Sequence, residues 1–173
     1  MNILLTVGTH EQPFQRLISA VEEIIDSGRQ NYCWKVQYGV GSFREHERVE
    51  SVQYFSASEI AARFEWADIV ISQASPGIVF NALERNAWPL VIGRQKQYGE
   101  HVDDHQLDFA SLADENGWAT EIKRTSDIAD HILKCSENVS VYRDQCKEAM
   151  KRSHSNTVAF RDRFWSATLT ESV

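Results

Sequence analysis

Three short runs in this sequence carry residue types suited to holding an anion or a hydroxylated ligand. Ser72-Gln73-Ala74-Ser75-Pro76-Gly77 stands between a β-branched apolar run, Ala67 to Ile71, and a segment of helical period, Ile78 to Arg85. Strand, small-residue turn and helix in that order aim unpaired N–H groups and the positive end of a helix dipole at one point, which suits a phosphate. The second run, Gly93-Arg94-Gln95-Lys96-Gln97-Tyr98-Gly99-Glu100-His101, follows the apolar Leu90-Val91-Ile92 and leads into Val102-Asp103-Asp104-His105-Gln106. The third, Gly8-Thr9-His10, closes the apolar stretch Asn2 to Val7. Each run follows a strand, and the ends of strands are where open α/β sheets bind ligands.

Other chemistries fit these residues less well. Neither glycine-bearing turn is G-x-G-x-x-G or a P-loop, and glycine there has the alternative reading of simply letting the backbone turn. Ser75 lacks the glycine two positions earlier that a nucleophile elbow needs, because Gln73 stands there. His101, Asp104 and His105 resemble a ligand cluster, since residues four apart share a helix face. No further ligand is evident, and acidic, histidine-bearing helix starts also serve as caps, so no metal is expected. Trp88 and Tyr98 read as packing residues, and Arg44-Glu45-His46-Glu47-Arg48 as a solvated loop.

The elements that must position these runs alternate along the chain. A strand over Asn2 to Val7 precedes a helix with Phe14, Leu17, Ile18, Val21, Ile24 and Ile25 on one face, stopped by Gly28. Strands are expected at Cys33 to Tyr38 and, more weakly, Val49 to Phe55. Ser56 and Glu59 have capping-box spacing for a helix to about Glu65. After the central strand, helix and strand come a helix over Asp104 to Asn116 stopped by Gly117, and a short strand at Trp118 to Ile122. Ser126 is placed to cap a helix holding Ile128, Ile132 and Leu133. A further helix carries Val139, Tyr142 and Cys146, and the tail from Ser155 puts Phe160, Phe164 and Trp165 on a last helix. Alternation of this kind predicts an α/β fold, a single Rossmann-like domain with a mainly parallel sheet between helical layers.

Composition sets the outer bounds. With 173 residues, 42% hydrophobic and 25% charged, the chain suits one globular domain spanning 1–173. The net charge of -7 argues against a nucleic-acid partner. Three cysteines without a C-x-x-C pair fit a reducing compartment. Met1 to Leu5 is too short and uncharged for a signal peptide, and no apolar run approaches the ~20 residues of a membrane span.

Over residues 1 to about 120 the sequence resembles the small glycosyltransferase subunits related to family 28. The matching runs are Thr6-Val7-Gly8-Thr9-His10-Glu11-Gln12-Pro13-Phe14, Ala67 to Ser72, and Arg94-Gln95-Lys96-x-Tyr98-Gly99-Glu100-His101-Val102-Asp103-Asp104-His105-Gln106. The last is the most specific. The PssE-like subunits of exopolysaccharide biosynthesis are the nearest pattern. The catalytic subunit of the eukaryotic two-subunit transferase that extends a dolichol-linked sugar with N-acetylglucosamine is also similar.

The resemblance implies the C-terminal, donor-binding half of a GT-B fold and an inverting transfer from a UDP-sugar without a metal or other cofactor. A separate, membrane-associated chain would hold the lipid-linked sugar acceptor and keep this subunit peripheral at the inner face of the cytoplasmic membrane. The helix over residues 155–173 is a candidate docking element. Carried over position by position, Gly8, Thr9, Ser75, Pro76, Gly77, Ile78, Asn81, Glu84 and Arg94 serve the donor diphosphate and nucleotide. Gln95, Asp104, His105 and Gln106 serve the sugar, and His10 is the candidate general base. The family pattern has histidine, glycine, serine and glutamate where this chain has Gln73, Ser75, Ile78 and Asn81. Those departures leave open a second reading, a non-catalytic UDP-sugar-binding or regulatory subunit.

Overall fold

The computed structural model describes residues 1–28 and 31–153, in which strands and helices alternate. The strands are β1 (Asn2–Thr6), β2 (Cys33–Gln37), β3 (Val49–Val52), β4 (Ile69–Gln73), β5 (Trp88–Ile92) and β6 (Thr120–Glu121). The helices are α1 (Gln15–Ser27), α2 (Ala57–Trp66), α3 (Pro76–Glu84), α4 (His105–Glu115), α5 (Ile128–Glu137) and α6 (139–153). All strand pairs are parallel, in the order β3-β2-β1-β4-β5-β6. The expected docking helix at 155–173 lies outside the described residues.

The central strands are buried on both faces, which their uninterrupted apolar runs require. Ile3, Leu5, Ile69 and Ile71 join Leu17, Ile18 and Val21 of α1 and Ile132 of α5 in one cluster. Their alternates Leu4 and Val70 face the other way, into a smaller cluster with Phe64 of α2 and Ala82 of α3. Cys135 and Cys146 are buried, and burial pushes their thiols up to about 11 and about 12, so both behave as packing residues.

Local signals in the sequence act as expected at several ends. Gly28 adopts the left-handed conformation and its N–H closes α1 on Ile25 O. Ser56 and Glu59 form the reciprocal capping box of α2, with Ser56 N–H donating to Glu59 Oε2 at 2.8 Å.

Elsewhere tertiary structure decides. β3 stops at Val52 because the chain then leaves the ladder: Phe55 N–H bonds the Gln37 side chain instead. α3 starts at Pro76 rather than Ile78, since proline in the first turn has no N–H to lose. Pro89 sits inside β5 because the Trp88 N–H faces β4, bonding Asp68 O, which turns the Pro89 nitrogen toward β6. β6 begins opposite Leu90, so no acceptor is left waiting there. Ser126 is not a cap. It lies in a 3-10 turn, Thr125–Asp127, and its hydroxyl donates to Asp127 Oδ1.

Candidate functional site

The strand order reverses between β1 and β4, the place where doubly wound sheets open a crevice at their carboxyl ends. Gly8 follows β1 there, with a φ of 70° that suits glycine. A Cβ on Gly8 would stand 2.3 Å from Gln73 Nε2, so the Gln73 side chain lies directly across it. Gln73 is 8% exposed and its Oε1 has no hydrogen-bond partner among the described residues. The Gly8 loop is held from the other side by Gln37, whose Nε2 donates to Thr6 Oγ1 (3.1 Å) and Gly8 O (3.3 Å).

α3 points its N-terminus at the same crevice. Ser75 is its N-cap in extended conformation, but its side chain makes no capping bond. Pro76 has no N–H, which leaves the main-chain donors of Gly77 and Ile78 without a side-chain cap. A Cβ on Gly77 would meet nothing within 4 Å among the described residues, so none of them blocks the approach. The result is a short row of donors with a positive dipole behind it and a neutral carboxamide beside it. Asn81, one turn on, is not aimed outward. Its Nδ2 donates to Gly77 O at 2.7 Å and its Oδ1 accepts from Arg85 Nη1 at 3.1 Å. Glu84 is exposed further along the same helix, within 3.6 Å of the Arg85 guanidinium.

The polar loop after β5 is braced rather than free. Arg94, expected among the nucleotide contacts, is 1% exposed and donates to the carbonyls of Gln12 (2.7 Å), Glu100 (3.0 Å) and Val7 (2.9 Å). Its guanidinium also lies over Phe14, 4.8 Å from the ring centroid. Burial lowers its pKa to about 10, against the opposing pull of Glu100, so it stays charged at neutral pH. This replaces the expected phosphate role: the side chain fastens the β5 loop to the β1 loop. Glu100 is the second fastening, accepting from Arg16 Nε (3.0 Å), Arg16 Nη2 (2.8 Å) and Gln95 N–H (3.0 Å). Sequence reasoning missed this Arg16–Arg94–Glu100 brace, because buried charges look like ligand-facing charges in a one-dimensional pattern.

Gly93 lets α4 press onto the end of β5. A Cβ there would stand 2.6 Å from Leu107 Cδ2 and 3.1 Å from Leu107 N. That contact sets the start of α4. Gln106 is buried, its Oε1 accepting from Arg94 N–H at 3.3 Å. Asp104 accepts from Lys96 N–H at 2.8 Å, and the Gln95 side chain accepts from Gln97 Nε2. His105 is exposed at the first position of α4.

Three imidazoles line up across the two loops. His10 and His101 have ring centroids 4.6 Å apart, and His101 and His105 4.7 Å. Asp103, not Asp104, joins them: its Oδ1 is 3.2 Å from His101 Nδ1 and touches His105 Nδ1. His10 accepts the Gln12 N–H on Nδ1 at 3.1 Å, which puts the proton of the neutral ring on Nε2. Its pKa is lowered, first by burial and then by Arg94 and His101. In that tautomer the Nδ1 lone pair is engaged by the Gln12 N–H and Nε2 is a donor, not the free lone pair a general base needs. Thr9 is exposed beside it.

A cavity of about 650 Å³ lies elsewhere, between the end of α1, β2, β3 and α5, and shares no lining residue with this site.

Comparison with known proteins gives this site a context. The sequence profile of the glycosyltransferase family 28 C-terminal domain matches residues 2–160. The chain belongs to that family. Among solved structures, the family 28 domain resembles MurG of Acinetobacter baumannii with a TM-score of 0.64 at 15% identity, covering 87% of this chain and 45% of that one. The calicheamicin glycosyltransferase CalG4 gives 0.60 at 12% identity, with 94% and 44% covered. A putative UDP-N-acetylglucosamine 2-epimerase from Listeria monocytogenes gives 0.58 at 17%, with 84% and 38% covered. No curated protein matches. The fold is thus the Rossmann-like half of a GT-B protein, and the chain spans less than half the length of these neighbours. No helix among the described residues is long and apolar enough to cross a membrane.

Proposed function

We propose that this chain is the donor-binding, catalytic half of a two-component inverting glycosyltransferase that moves a sugar from a UDP-sugar to a lipid-linked acceptor in surface-polysaccharide synthesis. The observation that carries the reading is the uncapped N-terminus of α3 at the β1/β4 switch point. Family membership makes a nucleotide-sugar diphosphate the anion to expect there. Nothing among the described residues stands within 4 Å of a Cβ built on Gly77, which leaves room for it.

The acceptor hydroxyl attacks the anomeric carbon, a new C–O bond forms, the bond to the diphosphate oxygen breaks, and UDP carries away the electron pair. The Gly77 and Ile78 donors stabilise charge growing on the departing diphosphate, the largest kind of contribution a site of this type makes. His10 donates rather than accepts, so the base that takes the acceptor proton is assigned to the acceptor-binding half. That half is proposed to be a separate, membrane-associated chain, which would hold this one at the inner face of the cytoplasmic membrane. Gln106 and His105, opening α4, are the residues proposed to read sugar hydroxyls.

One observation favours the second reading, a non-catalytic UDP-sugar-binding subunit: Asn81, at the ribose position of the family, spends its carboxamide on its own helix. Turnover decides between them. The chain mixed with its acceptor-binding partner, a UDP-sugar panel and lipid-linked acceptor should release UDP, and the chain alone should not. Tight UDP-sugar binding with no UDP release in the reconstituted pair would establish the non-catalytic subunit instead.

A further inference from the structure

We propose that His101, Asp103 and His105 form a binding site for a divalent transition-metal ion of the zinc class, and that the ion competes there with the donor sugar. The metal site stands on geometry alone. The competition rests on the functional reading above, which puts the sugar at the start of α4.

Both imidazoles turn Nδ1 toward one carboxylate oxygen, Asp103 Oδ1. One ligand atom from each residue lies within 4.8 Å of the other two. Tetrahedral zinc, with bonds of roughly 2.0–2.1 Å, holds its ligand atoms roughly 3.3 Å apart; His101 Nδ1 already stands 3.2 Å from Asp103 Oδ1, and His105, in contact with that oxygen, would draw back slightly. The frame that carries them is fixed by main-chain bonds. Gln95 N–H reaches Glu100, Lys96 N–H reaches Asp104, His105 N–H reaches Asp103 Oδ1 at 3.2 Å, and Gly99 turns in the left-handed region. The His101 ring is held between those of His10 and His105, with its side chain only 10% exposed. His101 therefore has little freedom left to lose on binding. Two imidazoles and one carboxylate favour zinc, cobalt, nickel or copper over magnesium, which prefers six oxygens. Asp103 and His105 are exposed, so the fourth position opens to solvent. An ion there would draw His105 away from the space the sugar needs, and a bound sugar would block that movement.

The test uses the full chain, stripped of metal with a chelator and titrated with Co²⁺ in visible light. One Co²⁺ per chain should bind at micromolar concentration with the intense bands of tetrahedral coordination, and Zn²⁺ should displace it. Millimolar Mg²⁺ should not. His101→Ala and Asp103→Asn should each weaken Zn²⁺ binding by at least about 100-fold, since losses in the second shell alone reach that size. His131→Ala should leave it unchanged, and melting curves confirm that each variant is folded. Absence of saturable Co²⁺ binding, or retention of it in His101→Ala, overturns the site. In a second arm, UDP-sugar should raise the apparent Zn²⁺ dissociation constant at least tenfold. Zinc binding indifferent to a UDP-sugar that itself binds would refute the competition. UDP-sugar binding without any Co²⁺ or Zn²⁺ binding would refute the metal site and leave the donor reading intact.

Discussion

Arg94→Met separates two roles that the sequence cannot tell apart. If Arg94 fastens the β5 loop to the β1 loop, its loss is a stability defect. If it reaches the donor, its loss is a binding defect. Methionine keeps an unbranched apolar stem but removes the guanidinium over Phe14 and the donors to Gln12, Glu100 and Val7. Each carbonyl left unpaired in a buried place costs about 1–3 kcal/mol. Relaxation offsets part of this, and Glu100 keeps Arg16, so the net loss should fall at about 3–5 kcal/mol, the usual cost of breaking a buried charged network. For a domain of this size that lowers the melting temperature by roughly 6–20 °C. Urea unfolding at 15 °C measures the stability, and calorimetric titration at the same temperature measures UDP affinity in the folded variant. Affinity should change by less than threefold. A variant within about 1 kcal/mol of the parent that had lost UDP binding would refute the bracing argument and restore Arg94 to the nucleotide site.

Three further outcomes follow from the same geometry. Gly93→Ala should cost about 1–3 kcal/mol in denaturant unfolding, because the new methyl group meets Leu107 and its backbone nitrogen; an unchanged midpoint would show that α4 can shift without penalty. Gln106→Ala should weaken the cognate UDP-sugar by about 1–3 kcal/mol while leaving UDP nearly untouched in calorimetry; equal losses would move Gln106 to the nucleotide. His10 should titrate below 6.5 by NMR, with the neutral ring protonated on Nε2. Since the folded chain then holds that proton more weakly than the unfolded one, the His10 contribution to stability is present above about pH 6.5 and falls as pH drops through the folded value. A proton on Nδ1 would reopen the general-base role.

Much of the architecture was legible because it rests on period and punctuation. Buried parallel strands need continuous apolar runs, and Ile69 to Ile71 and Leu90 to Ile92 supply them. Gly28, Gly117 and the Ser56–Glu59 pair mark helix ends through backbone chemistry that depends on few neighbours. What depended on distant partners was not legible. Pro89 belongs in β5 only because β6 is too short to face it, and Ser126 loses its capping role to a 3-10 turn. At the site, the three runs do reach one sheet edge. The split between ligand-facing and structural charge did not show, because Arg94 and Glu100 differ from Lys96 and Asp103 only in burial. The histidine cluster formed through Asp103 rather than Asp104, since a loop, not a helix, sets its spacing.

The central claim is that a nucleotide diphosphate sits on the N-terminus of α3 at the switch point, and amide NMR tests it most directly. With ¹⁵N-labelled chain in chelator, UDP should shift the Gly77 and Ile78 amides most strongly, with smaller shifts at Gly8 and the Gln73 side chain. Saturable UDP binding that left Gly77 and Ile78 unmoved, and shifted instead the residues around α1 and α5, would contradict it.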